Sequence, residues 1–220
     1  MNPFPVPTVR AVALALAILS TLLAGPAAAQ TAATDRATCE RTYKPERGQE
    51  GKDVVWIPTP DEVVQRMLQM GEVTAADIVY DLGAGDGKIA IAAAKLGARA
   101  VGIEYNPDMA RLAQCYVNAE GLGGRARIDR GDVFEADFRE ATVVTMYLLP
   151  DLNLKLIPKL LRDLKPGTRI VSHAFSMGGW EPEQTAKVDG KSVYRWTIPA
   201  PGTPAYAAAI AASRQIRGAW

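Results

Sequence analysis

Residues 78–88 read IVYDLGAGDGK, and this short stretch decides the fold. The apolar run Ile78–Leu82 predicts a buried β-strand, and residues 88–96 predict an alanine-rich helix that ends at Gly97. Between them, glycines stand at positions 83, 85 and 87. A glycine loop at the start of a helix lets backbone N–H groups approach a ligand closely, beside the positive end of the helix dipole. We therefore expect a ligand-binding crevice at the carboxyl end of this strand.

On both sides of this stretch the chain alternates between strand-like and helix-like patterns. Residues 59–62 (TPDE) predict a helix start, with Thr59 as the cap and Glu62 closing a capping box. A helix is predicted from Asn106 to about residue 119, and another before the fifth strand, where Pro158 is expected to interrupt it. Strands alternating with helices predict an α/β fold with a parallel sheet covered by helices on both faces. The other predicted strands are Ala98–Glu104, Arg125–Arg130, Ala141–Leu149, Thr168–Ser172 and Val193–Ile198.

The glycine spacing excludes two common nucleotide-binding motifs. The dinucleotide fingerprint G-x-G-x-x-G requires a glycine where Lys88 stands, and a P-loop requires Ser or Thr where Ile89 stands. What remains is acid-x-Gly-x-Gly-x-Gly, with Asp81 ahead of the glycines. A carboxylate at that position is a poor neighbour for a pyrophosphate and suits a ligand that carries an ammonium group.

Two further acidic residues stand at the ends of the next two predicted strands. Glu104 ends the second strand, where a carboxylate can accept both hydroxyls of a ribose. Asp132 follows the third strand, where an acid can bind the amino group of an adenine. An ammonium group, a ribose and an adenine together describe S-adenosylmethionine, which we expect to be the cofactor.

With these motifs in place, the chain resembles the class I, seven-strand S-adenosylmethionine-dependent methyltransferases over residues 54–199. It is most similar to the mitochondrial protein-lysine methyltransferases of the ADP/ATP translocase and the ATP synthase c-subunit, and to their bacterial relatives. The segments that carry the resemblance are WIPTPDEVVQRML, VYDLGAGDGKIAIAAAK, AVGIEYNP, TVVTMYLLPDLN and PGTRIVSHAFSMGGWEP. The resemblance implies a Rossmann-like seven-strand sheet, mostly parallel, with helices on both faces.

The resemblance also implies roles for individual residues. Trp56, Pro58 and Thr59 would form a lid over the cofactor, although Trp56 can equally be a core residue. The residues expected to bind the cofactor are Asp81, Gly83, Gly85, Gly87, Glu104, Asn106, Asp132, Val133 and Thr59. Tyr147 and Pro150 are the candidates on the acceptor side, and residues 146–150 would form an apolar wall that favours a neutral lysine amine. No residue is a convincing general base, and His173 fits a hydrogen-bonded structural role better.

Composition limits the remaining classes of site. The chain has 220 residues and a net charge of +1, which argues against a basic nucleic-acid-binding surface. One histidine and two cysteines make a zinc site implausible, so we expect no metal. In an oxidising compartment Cys39 and Cys115 could pair, but the position of Cys115 inside an apolar helical stretch favours an unpaired core residue.

The first 29 residues predict a secretory signal peptide. One arginine precedes the uncharged run Ala11–Gly25, and small residues follow it. Export to the periplasm is therefore expected, and the alternative is an uncleaved membrane anchor formed by residues 11–29. Residues 30–53 lack a sustained period and are interpreted as a linker or arm, and residues 200–220 as an Ala/Pro-rich tail.

Three functions remain open at this point. The first is methyl transfer to a lysine of a protein acceptor, by a monomeric enzyme with no nucleic-acid partner. The second is methyl transfer to a small molecule, because the same cofactor motif serves many substrates. The third is a non-catalytic, exported domain that binds S-adenosylmethionine, since this cofactor is made in the cytoplasm.

Overall fold

A computed structural model describes residues 35–50 and 55–215, together with Met1. The strands in these ranges are β1 Ile78–Leu82, β2 Arg99–Glu104, β3 Ala126–Arg130, β4 Val143–Met146, β5 Arg169–His173, β6 Gln184–Val188 and β7 Lys191–Thr197. The helices are α1 Arg36–Glu40, α2 Asp61–Met70, α3 Lys88–Lys95, α4 Pro107–Ala119, α5 Pro150–Asp163 and α6 Pro204–Ser213.

The strands form one seven-stranded sheet in the order β3-β2-β1-β4-β5-β7-β6. β1 to β5 pair in parallel, and β7 pairs antiparallel with both β5 and β6. The predicted fold class, a mostly parallel Rossmann-like sheet, is confirmed. Because β1 lies between β2 and β4, the carboxyl end of β1 sits where the strand order reverses, which is where open α/β sheets bind ligands.

Helices and apolar side chains cover both faces of the sheet. On one face, α2, α3 and α4 bury a cluster around Met67, Ala90 and Ala113, with Val79 and Val143 pointing into it from the strands. On the other face, the neighbouring strand residues pack with α5 and α6. Side chains of alternate strand residues point to opposite faces, which explains why β1 and β4 are mostly apolar and are buried on both faces.

Residues 30–53 were expected to form a linker or arm, and the part of this segment that the structure describes, residues 35–50, packs against the sheet domain. It contains the short helix α1, and a disulfide joins Cys39 of α1 to Cys115 of α4 with Cα atoms 5.7 Å apart. The preference for an unpaired Cys115 was therefore wrong: α4 presents this residue to α1 and not only to the sheet. Tyr116 of α4 also donates a hydrogen bond to Glu40 at 2.9 Å, and the Arg36 guanidinium lies 4.6 Å from the Tyr116 ring.

Two helix details also differ from the sequence-based predictions. Helix α2 begins at Asp61 without a side-chain cap, because the Thr59 hydroxyl faces His173 and not the first turn. Helix α5 runs unbroken through Pro158. Proline costs roughly 3 kcal/mol inside a helix, but α5 buries the apolar side chains of Leu156, Ile157 and Leu160 completely. Their burial outweighs the missing hydrogen bond.

The ends of the sequence bring two further findings. The sequence assigned no role to the Ala/Pro-rich tail. In the structure this segment forms α6, whose Ala209 and Ala212 are buried in the same apolar cluster as the side chains of α5. Strand β6 was missed, because residues 184–188 alternate weakly and are largely exposed.

The predicted signal peptide lies, apart from Met1, outside the described residues. Among the helices that the structure does describe, none is long and apolar enough to span a bilayer.

Candidate active site

A cavity of about 200 Å³ opens at the carboxyl ends of the parallel strands. Every residue expected to bind the cofactor lines this cavity except Gly87. Gly87 instead starts α3 with φ +76°, and a Cβ there would approach the side chains of Ala113 and Ile128 at 3.1 and 3.3 Å. Its placement fits a packing role between α3 and α4, and a direct role in binding a ligand finds no support in the structure.

Asp81, the last but one residue of β1, is the most unusual group in the cavity. Its side chain is 2% exposed, and its Oδ1 accepts a hydrogen bond from the Thr145 hydroxyl of β4 at 2.8 Å. Its Oδ2 is buried and has no hydrogen-bond partner among the described residues. Burial, with the nearby carboxylates of Asp86 and Glu104 adding to it, raises the pKa of Asp81 to about 7. The site therefore contains a carboxyl group that lacks a cationic partner within the described ranges.

Glu104, at the end of β2, holds the glycine loop in place. One carboxylate oxygen accepts the N–H of Gly85 at 2.8 Å, and the other accepts the N–H of Asn106 at 2.8 Å. Asn106 caps α4 with its own side chain, which accepts from the N–H groups of Asp108 and Met109. Burial raises the pKa of Glu104 despite these hydrogen bonds. The carboxylate lies at the cavity wall, within the position that the sequence predicted for a ribose-binding acid.

Asp132 and Val133 line the end of the cavity next to β3. Asp132 Oδ1 accepts the N–H of Phe134 at 2.9 Å, which fixes the turn that leaves β3. Phe134 lines the same part of the cavity, and the sequence analysis did not identify it. This end thus offers one acidic acceptor beside an aromatic ring, as an adenine requires.

Gln49, Glu50 and residues 55–59 form a further wall of the cavity. Trp56 lies against the glycine loop so closely that a Cβ on Gly85 would come within 2.7 Å of the indole nitrogen. The backbone N–H of Trp56 donates to the Gln49 carbonyl at 2.9 Å, and Gln49 and Glu50 also line the cavity. The structure places Trp56, Pro58 and Thr59 where the resemblance implied a lid. Gln49 and Glu50 were missed because residues 30–53 show no periodic pattern that would reveal their position at the cavity.

The side of the cavity next to β4 is apolar and aromatic. Tyr147 lies there, as expected, with Leu148, Leu149, Leu152 and Phe175. Pro150 does not line this cavity, because it starts α5 and faces a separate shallow depression with Asp151 and Lys155. His173 lies behind Tyr147, is 1% exposed, and approaches Thr59 Oγ1 with its Nδ1 at 3.4 Å.

These residues fit S-adenosylmethionine group by group. The unpaired Oδ2 of Asp81 can accept from an ammonium group, and the absence of a side chain at Gly85 lets the Trp56 indole lie against the loop. Glu104 can accept from ribose hydroxyls, and Asp132 can accept from an adenine amino group. No group of three or more His, Cys, Asp or Glu residues in the described part of the chain is arranged to hold a metal ion.

Comparison with known proteins identifies the family. The family model described as the ANTKMT methyltransferase domain matches residues 81–184. A protein-lysine N-methyltransferase of Saccharolobus islandicus is 51% identical over 151 residues, or 66% of this chain and 94% of the archaeal protein. The human lysine N-methyltransferase of the ATP synthase c-subunit is 30% identical, and the match covers 58% of this chain and 54% of the human protein.

A solved structure supports the same assignment. A crystal structure described as an RNA methyltransferase from Salinibacter ruber, in complex with S-adenosyl-L-homocysteine, is 50% identical, with a TM-score of 0.66. The match covers 67% of this chain and 97% of the Salinibacter chain. The sheet and the cavity together define an S-adenosylmethionine-dependent methyltransferase, which confirms the expected cofactor. Within that class, the chain belongs to the family of the archaeal protein-lysine N-methyltransferase.

Proposed function

We propose that this protein transfers a methyl group from S-adenosylmethionine to the ε-amino group of a lysine in a protein acceptor. The observation that carries the proposal is the 51% identity to a protein-lysine N-methyltransferase of which the match covers 94%. The methyl group of S-adenosylmethionine is already activated by the sulfonium, so the protein must mainly hold the acceptor in line with it.

The cavity provides for the two partners on two sides. Toward β2 and β3, Glu104 and Asp132 would hold the nucleoside of the cofactor, and Asp81 would hold its ammonium group. Toward β4, the lining side chains are apolar or aromatic; they are Tyr147, Leu148, Leu149, Leu152 and Phe175. A lysine attacks only as the neutral amine, and an apolar environment lowers the pKa of a lysine ammonium. This side of the cavity therefore favours the reactive form of the acceptor.

The chain's one histidine does not act as a general base in this scheme. Burial lowers the pKa of His173 to about 4, so the neutral ring is a weak proton acceptor near pH 7. It does not line the cavity, and Tyr147 lies between it and the acceptor side. Desolvation of the acceptor lysine thus prepares the amine: the ammonium group releases its proton to solvent as it enters the apolar side of the cavity, and no basic side chain of the protein accepts that proton.

The experiment that tests the proposal is transfer of labelled methyl groups by the full chain. Protein, RNA and small-molecule fractions are incubated separately, with Asp81→Asn as the control. We expect label in the protein fraction, recovered as Nε-methyl-lysine after acid hydrolysis. Label confined to RNA or to small molecules would contradict the proposal. The net charge of +1 favours protein over RNA, although the Salinibacter relative is described as an RNA enzyme. Binding without any transfer would support a non-catalytic domain.

We propose in addition that the chain is exported through residues 1–29 and acts as a monomer in an oxidising compartment. The Cys39–Cys115 disulfide supports this location, since disulfides persist mainly outside the reducing cytosol. Cell fractionation with thiol trapping tests it: the periplasmic protein should resist alkylation until a reductant is added. Protein in the membrane fraction with residues 11–29 still present would instead support the anchor.

A further inference from the structure

The chain turns sharply where β5 ends, immediately beside the cavity. Ala174 has φ +66°, a left-handed conformation that L-residues rarely adopt. The N–H of Phe175 donates back to the carbonyl of His173 at 2.8 Å. Residues held in such conformations persist only when the surrounding structure determines them, and they concentrate at functional sites.

Buried polar side chains hold this turn. Asn153 of α5 donates from Nδ2 to the carbonyls of Phe175 and Ser176, at 3.2 and 3.3 Å. The Ser172 hydroxyl donates to the Phe175 carbonyl at 2.7 Å. Asn153 and Ser172 are both 0% exposed. The position of Phe175 is therefore set by the protein interior and not by solvent.

The turn brings Phe175 to Tyr147. The two ring centroids are 6.2 Å apart, the planes differ by 24°, and both residues line the cavity. Tyr147 also contacts the His173 ring, with centroids 3.9 Å apart. Thr145, two residues before Tyr147, is opposite Asp81 in the sheet. The aromatic pair thus lies one strand beyond Asp81, on the side away from Glu104 and the nucleoside end.

We propose that Tyr147 and Phe175 form two walls of the channel that receives the acceptor lysine, and that His173 is a positioning residue which supports Tyr147. The proposal rests on the proposed lysine acceptor. The flat rings partly bury the methylene groups of a lysine stem, and removing apolar groups from water favours binding. They also exclude water from the amine. His173 acts through Tyr147, because it contacts that ring from behind and does not reach the cavity.

The test uses a pair of probes that need no identified protein acceptor. Both are aza analogues of S-adenosylmethionine, with a tertiary amine in place of the sulfonium. One carries the methyl group, and the other carries a linear pentyl chain that imitates the lysine stem. Calorimetry gives the dissociation constant of each probe with the full chain. We expect the wild type to bind the pentyl probe about tenfold more tightly than the methyl probe.

Five variants separate the acceptor channel from the cofactor site. Tyr147→Ala and Phe175→Ala should each reduce the tenfold gain to about twofold, with the methyl probe bound as in the wild type. His173→Leu should also lose the gain, and His173→Phe, which keeps a ring behind Tyr147, should restore it. Phe134→Ala is the matched control: it should weaken both probes and leave their ratio unchanged. Binding of the methyl probe shows in each case that the variant is folded.

The outcomes distinguish this inference from the function on which it rests. Loss of the gain in both aromatic variants, with the ratio intact in Phe134→Ala, supports the channel. A gain that survives in Tyr147→Ala and Phe175→Ala would overturn the channel alone. A gain that survives in His173→Leu would remove His173 as a positioning residue. If the wild type itself shows no gain for the pentyl probe, the channel is overturned, while the lysine acceptor is decided separately by recovery of labelled Nε-methyl-lysine.

Discussion

At the scale of single residues, the buried carboxyl group of Asp81 couples binding to pH. Its pKa is raised to about 7 from the ordinary value of 3.8. Between about pH 4 and pH 7, Asp81 therefore carries a proton in the folded protein without ligand, whereas the unfolded chain has already released it. The stability that this group contributes is present below about pH 4 and is lost as the pH rises through about 7. A ligand ammonium placed beside Oδ2 would lower that pKa again.

We predict that S-adenosylmethionine binding strengthens as the pH rises from about 5 to 7, by up to about tenfold for each pH unit. The reason is that the ligand ammonium favours the ionised carboxylate, so binding must expel a proton from Asp81. Calorimetry in two buffers of different ionisation enthalpy measures the released proton directly.

Asp81→Asn provides the control for this prediction. Its affinity should be weak and nearly independent of pH over the same range. Compared with the wild type, the variant should be relatively more stable at pH 8 than at pH 5, because at pH 8 the wild type has to bury an ionised carboxylate and the variant does not. If the affinity of the variant for S-adenosylmethionine rose with pH as steeply as that of the wild type, a group other than Asp81 would be responsible for the pH dependence.

The sequence revealed the residues that stand at strand ends. Asp81, Glu104 and Asp132 follow recognisable strands, and parallel strands bring their carboxyl ends to one edge. Phe175 could not be found in this way, because its position depends on a left-handed turn at Ala174 and on Asn153, which belongs to another helix. Contacts between segments far apart in the chain leave no local pattern.

At the scale of elements, the glycine loop and the arm have to fit together. A Cβ on Gly85 would meet the Trp56 indole at 2.7 Å, whereas a Cβ on Gly121 would meet nothing within 4 Å. Both glycines have positive φ, at 55° and 71°, so alanine strains the backbone at each.

We predict that Gly85→Ala weakens S-adenosylmethionine binding at least tenfold, since it displaces Trp56 from the cavity. Gly121→Ala, which has the same kind of backbone strain without the steric clash, should lower the unfolding free energy by about 1 kcal/mol and leave the affinity unchanged. Calorimetric binding and urea unfolding measure the two effects. Equal loss of affinity in both variants would indicate that backbone strain alone is responsible.

The disulfide holds the arm at α4, and through the arm it supports the lid. We predict that a Cys39→Ser/Cys115→Ser double variant loses about 4 kcal/mol of unfolding free energy, because the cross-link closes a long loop. It should also bind S-adenosylmethionine more weakly, since Gln49 and Trp56 follow α1 in the chain. A reductant should reproduce both changes in the wild type and change nothing in the double variant. An undiminished affinity would separate the arm from the binding site.

Across these elements, local patterns predicted β1, α3 and α4 to within a residue or two. They failed for α1, whose five residues are held by a disulfide and side chains of α4 rather than by helix propensity. They failed also at Pro158, where burial of the flanking apolar face overrides the proline. Tertiary contacts decide such cases, and a single sequence does not display them.

At the scale of the whole molecule, the last helix belongs to the core although its composition gave no sign of it. Helix α6 is rich in alanine and nearly uniform in polarity around its axis, so no amphipathic pattern predicts a buried face. Ala209 is nevertheless 0% exposed, while its neighbour Ala208 faces solvent. This pair allows the contribution of the tail to be measured.

We predict that Ala209→Asp lowers the unfolding free energy by several kcal/mol, because it buries a charge without a partner. Ala208→Asp should change it by less than about 0.5 kcal/mol. Both measurements are made by urea unfolding of the full chain. Where Ala209→Asp remains folded, its affinity for S-adenosylmethionine should match the wild type, since α6 does not line the cavity. Similar stability of the two variants would place α6 outside the core.

The disulfide also imposes an order on biogenesis. Cys39 and Cys115 are separated by 76 positions, and the interval between them contains the whole glycine loop. During synthesis or translocation, Cys39 must wait until α4 has emerged before it can find its partner. The disulfide then closes a covalent ring that contains the glycine loop at the cavity. The glycine loop is therefore synthesised before the disulfide can form, and the complete site is a late product of maturation.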